Sequence, residues 1–135
     1  MPEPAERVHW DLSEQIIGSA MEVLNEIGPG LDEKLYENAL IIELTERGSK
    51  ANQQKRFPVH YKGRFIGKLI PDLIIDELVI VDAKVVEVFC DSHIAQVLGY
   101  LSITNLQLGL LLNFKYAKLQ WKRIVRSIQQ TDGSD

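Results

Sequence analysis

Two short apolar segments with charged residues set into them constrain the fold of this chain more than any other feature. Residues 70–75 contain Asp72, and residues 79–84 contain Asp82 and Lys84. Runs rich in Ile, Leu and Val that are separated by a short turn are typical of neighbouring β-strands. A carboxylate or an ammonium group is costly inside a strand unless it is paired or binds a metal ion. Because Asp82 and Lys84 are two residues apart, they lie on the same face of their strand. The pattern predicts a site for a divalent metal ion that activates a water molecule.

The loop between these two segments decides whether the two aspartates can share a metal ion. A two-residue hairpin turn would place Asp72 opposite Val81 and turn Asp82 to the other face, because successive side chains alternate. A three-residue loop over residues 76–78, or a bulge near Pro71, would place the two aspartates on one face. A shared metal ion therefore requires the longer loop or the bulge.

Length and composition fit one domain with one hydrophobic core. The chain has 135 residues, of which 45% are hydrophobic, so we expect a single domain over 1–135, with an ordered core from about 12 to 126 and mobile termini. The net charge of -4 excludes a general attraction to nucleic acid, so any such contact needs a local basic patch or a bound metal. Residues 1–7 lack the apolar core of a signal peptide, and the single cysteine, Cys90, has no partner for an internal disulfide. Together with the lack of a membrane-spanning run, this predicts a cytoplasmic protein.

Hydrophobic periodicity predicts two helices, three strands, a further helix and two last strands. The predicted elements are a helix capped by Asp11 or Ser13, a helix over 32–47, strands over 53–61, 64–75 and 78–86, a helix capped by Asp91 or Ser92 that ends near 105, and strands over 107–114 and 119–125. Pro71 cannot donate to a strand ladder, so it indicates an edge, a bend or a bulge. A three-stranded meander followed by a crossover helix predicts an α/β fold with a mixed sheet flanked by helices.

Two pairs of polar residues at helical spacing are further candidates. Glu33 and Glu37 share a face of the second helix, although acids near a helix N-terminus are by themselves better explained as facing water. Gln96 and Tyr100 form a polar stripe on the third helix together with His93. For His93, a solvent-facing position near the helix start is an explanation at least as good as a functional one.

Taken together, these residues resemble the PD-(D/E)xK nuclease superfamily and, within it, the GxxExxY group. The motif that names the group stands here as Gly30-Leu31-Asp32-Glu33-Lys34-Leu35-Tyr36. Further matching pieces are the Gly-Pro-Gly of residues 28–30, the stripe of Gln96 and Tyr100, and residues 109–114. The resemblance spans about residues 16–125. It implies a restriction-endonuclease-like fold and hydrolysis of phosphodiester bonds, with DNA the favoured substrate and Mg²⁺ or Mn²⁺ as cofactor.

The resemblance also implies roles for individual residues. The implied catalytic set is Glu33, Asp72, Asp82, Lys84, Gln96 and Tyr100. The three carboxylates of this set and the backbone carbonyl of Ala83 would bind the metal. Lys84 would orient the attacking water or stabilise the transition state, and the amide and phenol would hold that lysine or a phosphate. The group usually has glutamate at the position of Asp82, so the reach of this ligand differs.

Alternatives to an active nuclease remain open. One is a catalytically inactive nucleic-acid-binding module, and another is an accessory or regulatory subunit on the same fold, because fold membership does not prove a reaction. An ion pair of purely structural role would explain Asp82 and Lys84 but not Asp72. Five basic residues near the C-terminus could form a phosphate-binding edge or could simply be solvated: Lys115, Lys118, Lys122, Arg123 and Arg126. Whether the chain is a monomer, a homodimer or part of a larger complex stays open.

Overall fold

The structure is a computed structural model, and it describes residues 4–126. Residues 1–3 and 127–135 of the predicted mobile termini lie outside this range. The helices and strands, in chain order, are α1 (Trp10–Ile27), α2 (Glu33–Glu46), β1 (Ala51–Gln53), β2 (Phe57–Tyr61), β3 (Arg64–Leu69), β4 (Leu73–Ile75), β5 (Val79–Lys84), α3 (Asp91–Thr104), β6 (Leu108–Asn113) and β7 (Gln120–Val125). Within the described residues, none of the helices is long and apolar enough to span a membrane.

Five strands form a central mixed sheet in the order β1-β4-β5-β6-β7. The β5–β6 pair is parallel and the other three pairs are antiparallel. A parallel pair needs a crossover connection, and α3 supplies it between β5 and β6. The two middle strands, β5 and β6, are buried almost throughout, and apart from Asp82, Lys84 and Asn113 they are apolar, as expected for strands that are covered on both faces.

Helices cover the two faces of the sheet. Helices α1 and α2 pack on the face that includes Leu73, Val81 and Leu110, whereas α3 packs on the face that includes Ile74 and Ile80. This alternation follows from the two-residue period of a strand. The predicted fold class, a mixed α/β sheet flanked by helices, is confirmed.

The predicted three-stranded meander is wrong in its details, because each of its first two strands is broken. The predicted strand over 53–61 divides into β1 and β2, with Gln54 at a φ of 62° between them. The predicted strand over 64–75 divides into β3 and β4 around Pro71. Strands β2 and β3 form a separate two-stranded hairpin. The bend at Pro71 is confirmed, since a residue without an N–H cannot continue a ladder.

The starts of two helices also differ from the prediction. Helix α1 begins at Trp10 after His9, which has a φ of 48°, and Ser13 lies inside the helix with its hydroxyl bonded to the Trp10 carbonyl. Helix α3 begins at Asp91 and its N-cap residue is Cys90, whose N–H donates to His93 Nδ1 at 3.1 Å. A backbone donor at a helix start needs an acceptor of this kind. His93 therefore has a structural role at the start of α3.

The residues just before α1 are bonded to strand β7. Arg123 on β7 donates hydrogen bonds to the Ala5 and Val8 carbonyls, at 2.9 and 2.8 Å, and to the Ser13 hydroxyl at 2.7 Å. Val8 is buried in the core. Contacts of such long range are not visible in the local composition on which the prediction of mobile termini rests. Arg123 is thus a structural residue, neither part of a phosphate-binding edge nor simply solvated.

Candidate active site

The register of the β4–β5 hairpin brings the two aspartates together. The pairs are Leu73 with Val81, Ile74 with Ile80, and Ile75 with Val79, so the loop has three residues. The ladder stops at the pair of Leu73 and Val81, and Asp72 is an exposed residue at the bend just before β4. Its charge still raises the pKa of Asp82, which indicates that the two carboxylates are close. The requirement for a shared metal ion is therefore met without a bulge.

Contacts to the start of β1 stabilise this three-residue loop. Asp76 and Glu77 both have positive φ angles, of 52° and 62°. The Asp76 carboxylate accepts a hydrogen bond from the Lys50 N–H at 2.7 Å, and the backbone N–H of Asp76 donates to the Lys50 carbonyl at 2.8 Å. Glu77 pairs with Lys55 and accepts a hydrogen bond from Asn52 at 2.8 Å. Aspartate tolerates the left-handed region better than most residues, which explains its place in this loop.

Asp82 and Lys84 lie on the face of β5 that α3 covers. Asp82 is only 2% exposed. Its Oδ1 lies 3.2 Å from Lys84 Nζ, which is the distance of an ion pair, but the angles are not those of a hydrogen bond. No other residue in the range 4–126 donates to this buried oxygen. A buried carboxylate oxygen without a donor is unfavourable unless a cation or water reaches it.

Burial and neighbouring charge both act on Asp82. Desolvation raises the pKa of its carboxyl group to about 6, Lys84 opposes that rise, and the charges of Asp72 and Glu33 add to it. Desolvation is also the main reason why the pKa of Tyr100 is raised, followed by the charges of Asp82 and Asp72. The phenol of α3 thus faces the same concentration of negative charge as the two aspartates.

One edge of β5 is open beyond Val81, because Leu73, the first residue of β4, is the last one that pairs with β5. The Lys84 carbonyl accepts the Phe114 N–H at 2.9 Å on the β6 side. Peptide groups alternate in direction along a strand, so the Ala83 carbonyl faces the edge that β4 has left. The next N–H on that edge, from Val85, donates to Glu33 Oε2 at 3.3 Å. The helix glutamate and the Ala83 carbonyl therefore lie along the same open edge.

A buried tyrosine fixes the loop that precedes Glu33, the first residue of α2. Tyr36 is stacked on Phe114, with ring centroids 4.5 Å apart and planes inclined by 8°. Its hydroxyl donates to the Gly28 carbonyl at 2.6 Å and accepts the Leu31 N–H at 2.9 Å. Gly28 and the nearby Gly30 have φ angles of 81° and 84°, which favour glycine. The tyrosine of the GxxExxY pattern is a structural residue here.

The two glutamates of α2 have different surroundings. Glu33 reaches the open edge of β5, whereas Glu37 is 7% exposed and lies 3.3 Å from Lys34. The interpretation of Glu37 as a solvent-facing acid is wrong. Its carboxylate packs at the margin of the core, and the lysine one turn earlier neutralises it.

Gln96 and Tyr100 contact each other. Gln96 Nε2 donates to the Tyr100 hydroxyl at 2.9 Å. Tyr100 packs beside the cluster of Ile74, Ile80 and Val97, on the same face of the sheet as Asp82. The glutamine therefore orients the phenol, and neither side chain makes a direct hydrogen bond to Lys84.

Asn113 is a residue of this region for which the sequence analysis predicted no role. It is fully buried, its amide group donates to the Val86 carbonyl at 2.7 Å, and its oxygen accepts the Val86 N–H at 3.1 Å. The pair of bonds fixes the chain just after Lys84. In the sequence, the feature that could have indicated this role is a polar residue at the end of an otherwise apolar strand. In the structure, this residue pairs with Lys84.

We expect Asn113→Ala to lower the free energy of unfolding by about 2 kcal/mol, because it leaves three partly buried backbone groups without partners: the N–H and carbonyl of Val86 and the N–H of Lys115. It should also lower any activity that depends on the position of Lys84. Urea unfolding measures the first effect, with Asn25→Ala on the exposed side of α1 as the matched control. A change within about 0.5 kcal/mol, the range of ordinary surface substitutions, would contradict the assigned role.

The donors at this site fit a hard divalent cation. Among residues 4–126, no three Asp, Glu, His or Cys side chains already converge closely enough to form a metal site. The carboxylates of Asp72 and Asp82, the second with an unbonded buried oxygen, and the backbone carbonyl of Ala83 on the open edge nevertheless form an all-oxygen donor set. Such a set suits Mg²⁺ or Mn²⁺, and Mg²⁺ commonly keeps several waters beside one or two carboxylates.

Comparison with known proteins identifies the family. A solved structure with a similar fold is that of an alkaline exonuclease (LHK-Exo) from Laribacter hongkongensis, with a TM-score of 0.48, 12% sequence identity, and coverage of 84% of this chain and 82% of that chain. No curated protein matches this chain. The family model of the PD-(D/E)XK nuclease superfamily matches residues 10–124, which is most of the chain. The chain therefore belongs to the PD-(D/E)XK nuclease superfamily.

Proposed function

We propose that this chain is a metal-dependent nuclease that hydrolyses phosphodiester bonds in DNA, and that within the superfamily it belongs to the GxxExxY group. The observation that carries the proposal is the buried Asp82 oxygen without a hydrogen-bond donor, close to Asp72 and 3.2 Å from Lys84 Nζ. A structure that needed only an ion pair would not require a second carboxylate close to the first. A single domain over the whole chain and a cytoplasmic location stay predictions, as does assembly into a homodimer or larger complex.

In the proposed mechanism, Asp72, Asp82 and the Ala83 carbonyl hold Mg²⁺ or Mn²⁺, and Glu33 completes the site from the open edge of β5. When bound, the ion polarises a phosphoryl oxygen and lowers the pKa of an attacking water. The Asp82 carboxylate keeps the ammonium group of Lys84 beside this site. From there, the ammonium orients the water or stabilises the negative charge that develops on the phosphorane.

Tyr100 and Gln96 act on the α3 side of the proposed site. A phenol is already protonated at neutral pH, and burial and the two aspartates raise the pKa of Tyr100 further. It can therefore donate a hydrogen bond to a phosphate oxygen, and Gln96 orients its hydroxyl from 2.9 Å. An uncharged donor suits this position, which already faces two carboxylates.

The competing function is a catalytically inactive nucleic-acid-binding or accessory module on the same fold. The observation that favours it is that Glu33 is bonded to the Val85 N–H and does not join a ready-made cluster of carboxylates. Metal binding separates the two functions, because an inactive module has no need of the ion.

Calorimetric titration with Mg²⁺ and Mn²⁺ tests the proposal, with wild type compared with Asp72→Ala and a cleavage assay on single- and double-stranded DNA run in parallel. We expect the variant to lose metal binding by at least about tenfold, in line with the loss of a direct ligand, and to lose cleavage with it. Asp11→Ala, at an exposed aspartate of α1, is the matched control and should bind as wild type does. A wild type that binds neither ion, even with DNA present, would overturn the metal site.

A further inference from the structure

The separate hairpin of β2 and β3 carries an unusual share of positive charge. Residues 55–69, which we name the basic hairpin, contain five of the fifteen Lys and Arg residues and none of the nineteen Asp and Glu residues: Lys55, Arg56, Lys62, Arg64 and Lys68. The other residues therefore comprise ten basic and nineteen acidic side chains, a net charge of -9. Within residues 4–126, Lys55 is the only one of the five that is in an ion pair. The rest of the positive charge faces solvent.

The tip of the hairpin is apolar as well as basic. Tyr61, Phe65 and Ile66 are 61%, 60% and 64% exposed. Tyr61 lies opposite Arg64, and His60 contacts the edge of the Phe65 ring at a centroid distance of 6.0 Å. Large exposed aromatic groups among cations are typical of surfaces that stack on or wedge between nucleic-acid bases.

The base of the hairpin lies beside the candidate active site. Phe57 packs against the same cluster on the α3 side of the sheet as Tyr100 does. The chain then runs from Leu69 to Asp72 through only two intervening residues, so the two ends of that link are within about 10 Å of each other. Strands of five and six residues make an arm of about 20 Å. A duplex carries a phosphate every 3.4 Å or so along each strand, so the arm spans about six of them.

We infer that the basic hairpin is a DNA-binding arm, which holds the phosphates that flank the scissile bond and presses Tyr61 and Phe65 against the bases. The inference rests on the proposed nuclease function for the identity of the ligand. The acidic site of Glu33, Asp72 and Asp82 repels a polyanion, so substrate binding requires positive charge within reach. A two-stranded ribbon of this kind also fits the major groove of B-DNA. The arm supplies the local basic patch that an acidic chain needs.

Fluorescence anisotropy with a labelled DNA duplex, in EDTA at about 0.1 M salt, tests the arm without cleavage. The variants are Lys62→Glu/Arg64→Glu, and Tyr61→Ser/Phe65→Ser for the tip. The matched control is Lys118→Glu/Lys122→Glu, which makes the same charge change at two exposed residues of the β6–β7 region. All replaced residues are exposed, and thermal unfolding checks that each variant is folded.

We expect the charge variant to bind duplex about 50-fold more weakly, because it loses two phosphate contacts. The same loss should lower the slope of log K against log salt concentration by about two. The tip variant should weaken binding about tenfold, and the control by less than about threefold. Binding of the charge variant within threefold of wild type would overturn the arm. Equal weakening by the control, or no binding by wild type, would also overturn it.

The cleavage assay separates this inference from the proposed function. Hairpin-dependent binding without cleavage in Mg²⁺ or Mn²⁺ would overturn the nuclease function and leave the arm in place. Cleavage by the charge variant with the KM and kcat of wild type would overturn the arm and leave the nuclease function in place.

Discussion

Lys84→Ala is expected to lower the rate of metal-dependent DNA cleavage by about 10²–10³-fold, the usual effect of removing one donor that stabilises transition-state charge. Metal affinity should be unchanged or higher, because the variant removes a cation that lies 3.2 Å from an Asp82 oxygen. This pairing of lost cleavage with retained metal binding is specific to a catalytic lysine. A lysine with only a structural role would lower stability and metal binding together.

Single-turnover cleavage and calorimetry, carried out on the same preparations, measure the two effects. Lys34→Ala is the matched control, since it removes an exposed lysine that also pairs with a carboxylate. It should cleave DNA at the wild-type rate. Cleavage by Lys84→Ala within threefold of wild type would rule out the proposed role of this residue.

Asp82→Asn is expected to stabilise the metal-free protein at pH 7 while it abolishes metal binding. Burial raises the pKa of Asp82 from 3.8 to about 6, so the folded state holds a proton that the unfolded state releases. The resulting stabilisation is complete below about pH 3.8 and is lost as the pH rises through about 6, which amounts to about 3 kcal/mol. Asparagine does not ionise and avoids that loss. Its buried amide lacks a full set of partners, so the expected net gain at pH 7 is about 1–2 kcal/mol.

Urea unfolding in EDTA from pH 4 to pH 8 measures the difference in stability between Asp82→Asn and wild type. With Mn²⁺ in place of EDTA, we expect the sign of this difference to reverse. A ligand that binds only the folded state stabilises it by mass action, so the ion should stabilise wild type and leave Asp82→Asn unchanged. Asp11→Asn, at an exposed position, should follow wild type throughout. If the metal-free Asp82→Asn protein is less stable than wild type at pH 7, the prediction is wrong. Other groups in the protein would then already offset the cost of burying the ionised Asp82 carboxylate.

The sequence by itself determined the chemistry of the central strands. Apolar runs interrupted by Asp72, Asp82 and Lys84 are informative because the cost of burying charge is a local property of each residue. Strand alternation alone determines which side chains of one strand share a face. Whether Asp72 and Asp82 share a face depends in addition on the length of the loop between their strands. The α/β class was predictable from periodicity in the same way, whereas the superfamily was predicted from the resemblance of several motifs to a known family.

Only the tertiary structure decided which strands share a sheet and which residues the core encloses. The breaks at Gln54 and Pro71 separate the basic hairpin from the central sheet, and no local propensity reveals sheet membership. Likewise, Glu33 reaches the Val85 N–H across 52 positions of the chain, and Arg123 holds the residues before α1 from β7. Burial and hydrogen bonding of this kind depend on partners distant in sequence. Side-chain chemistry is local, whereas the contacts that position it are not.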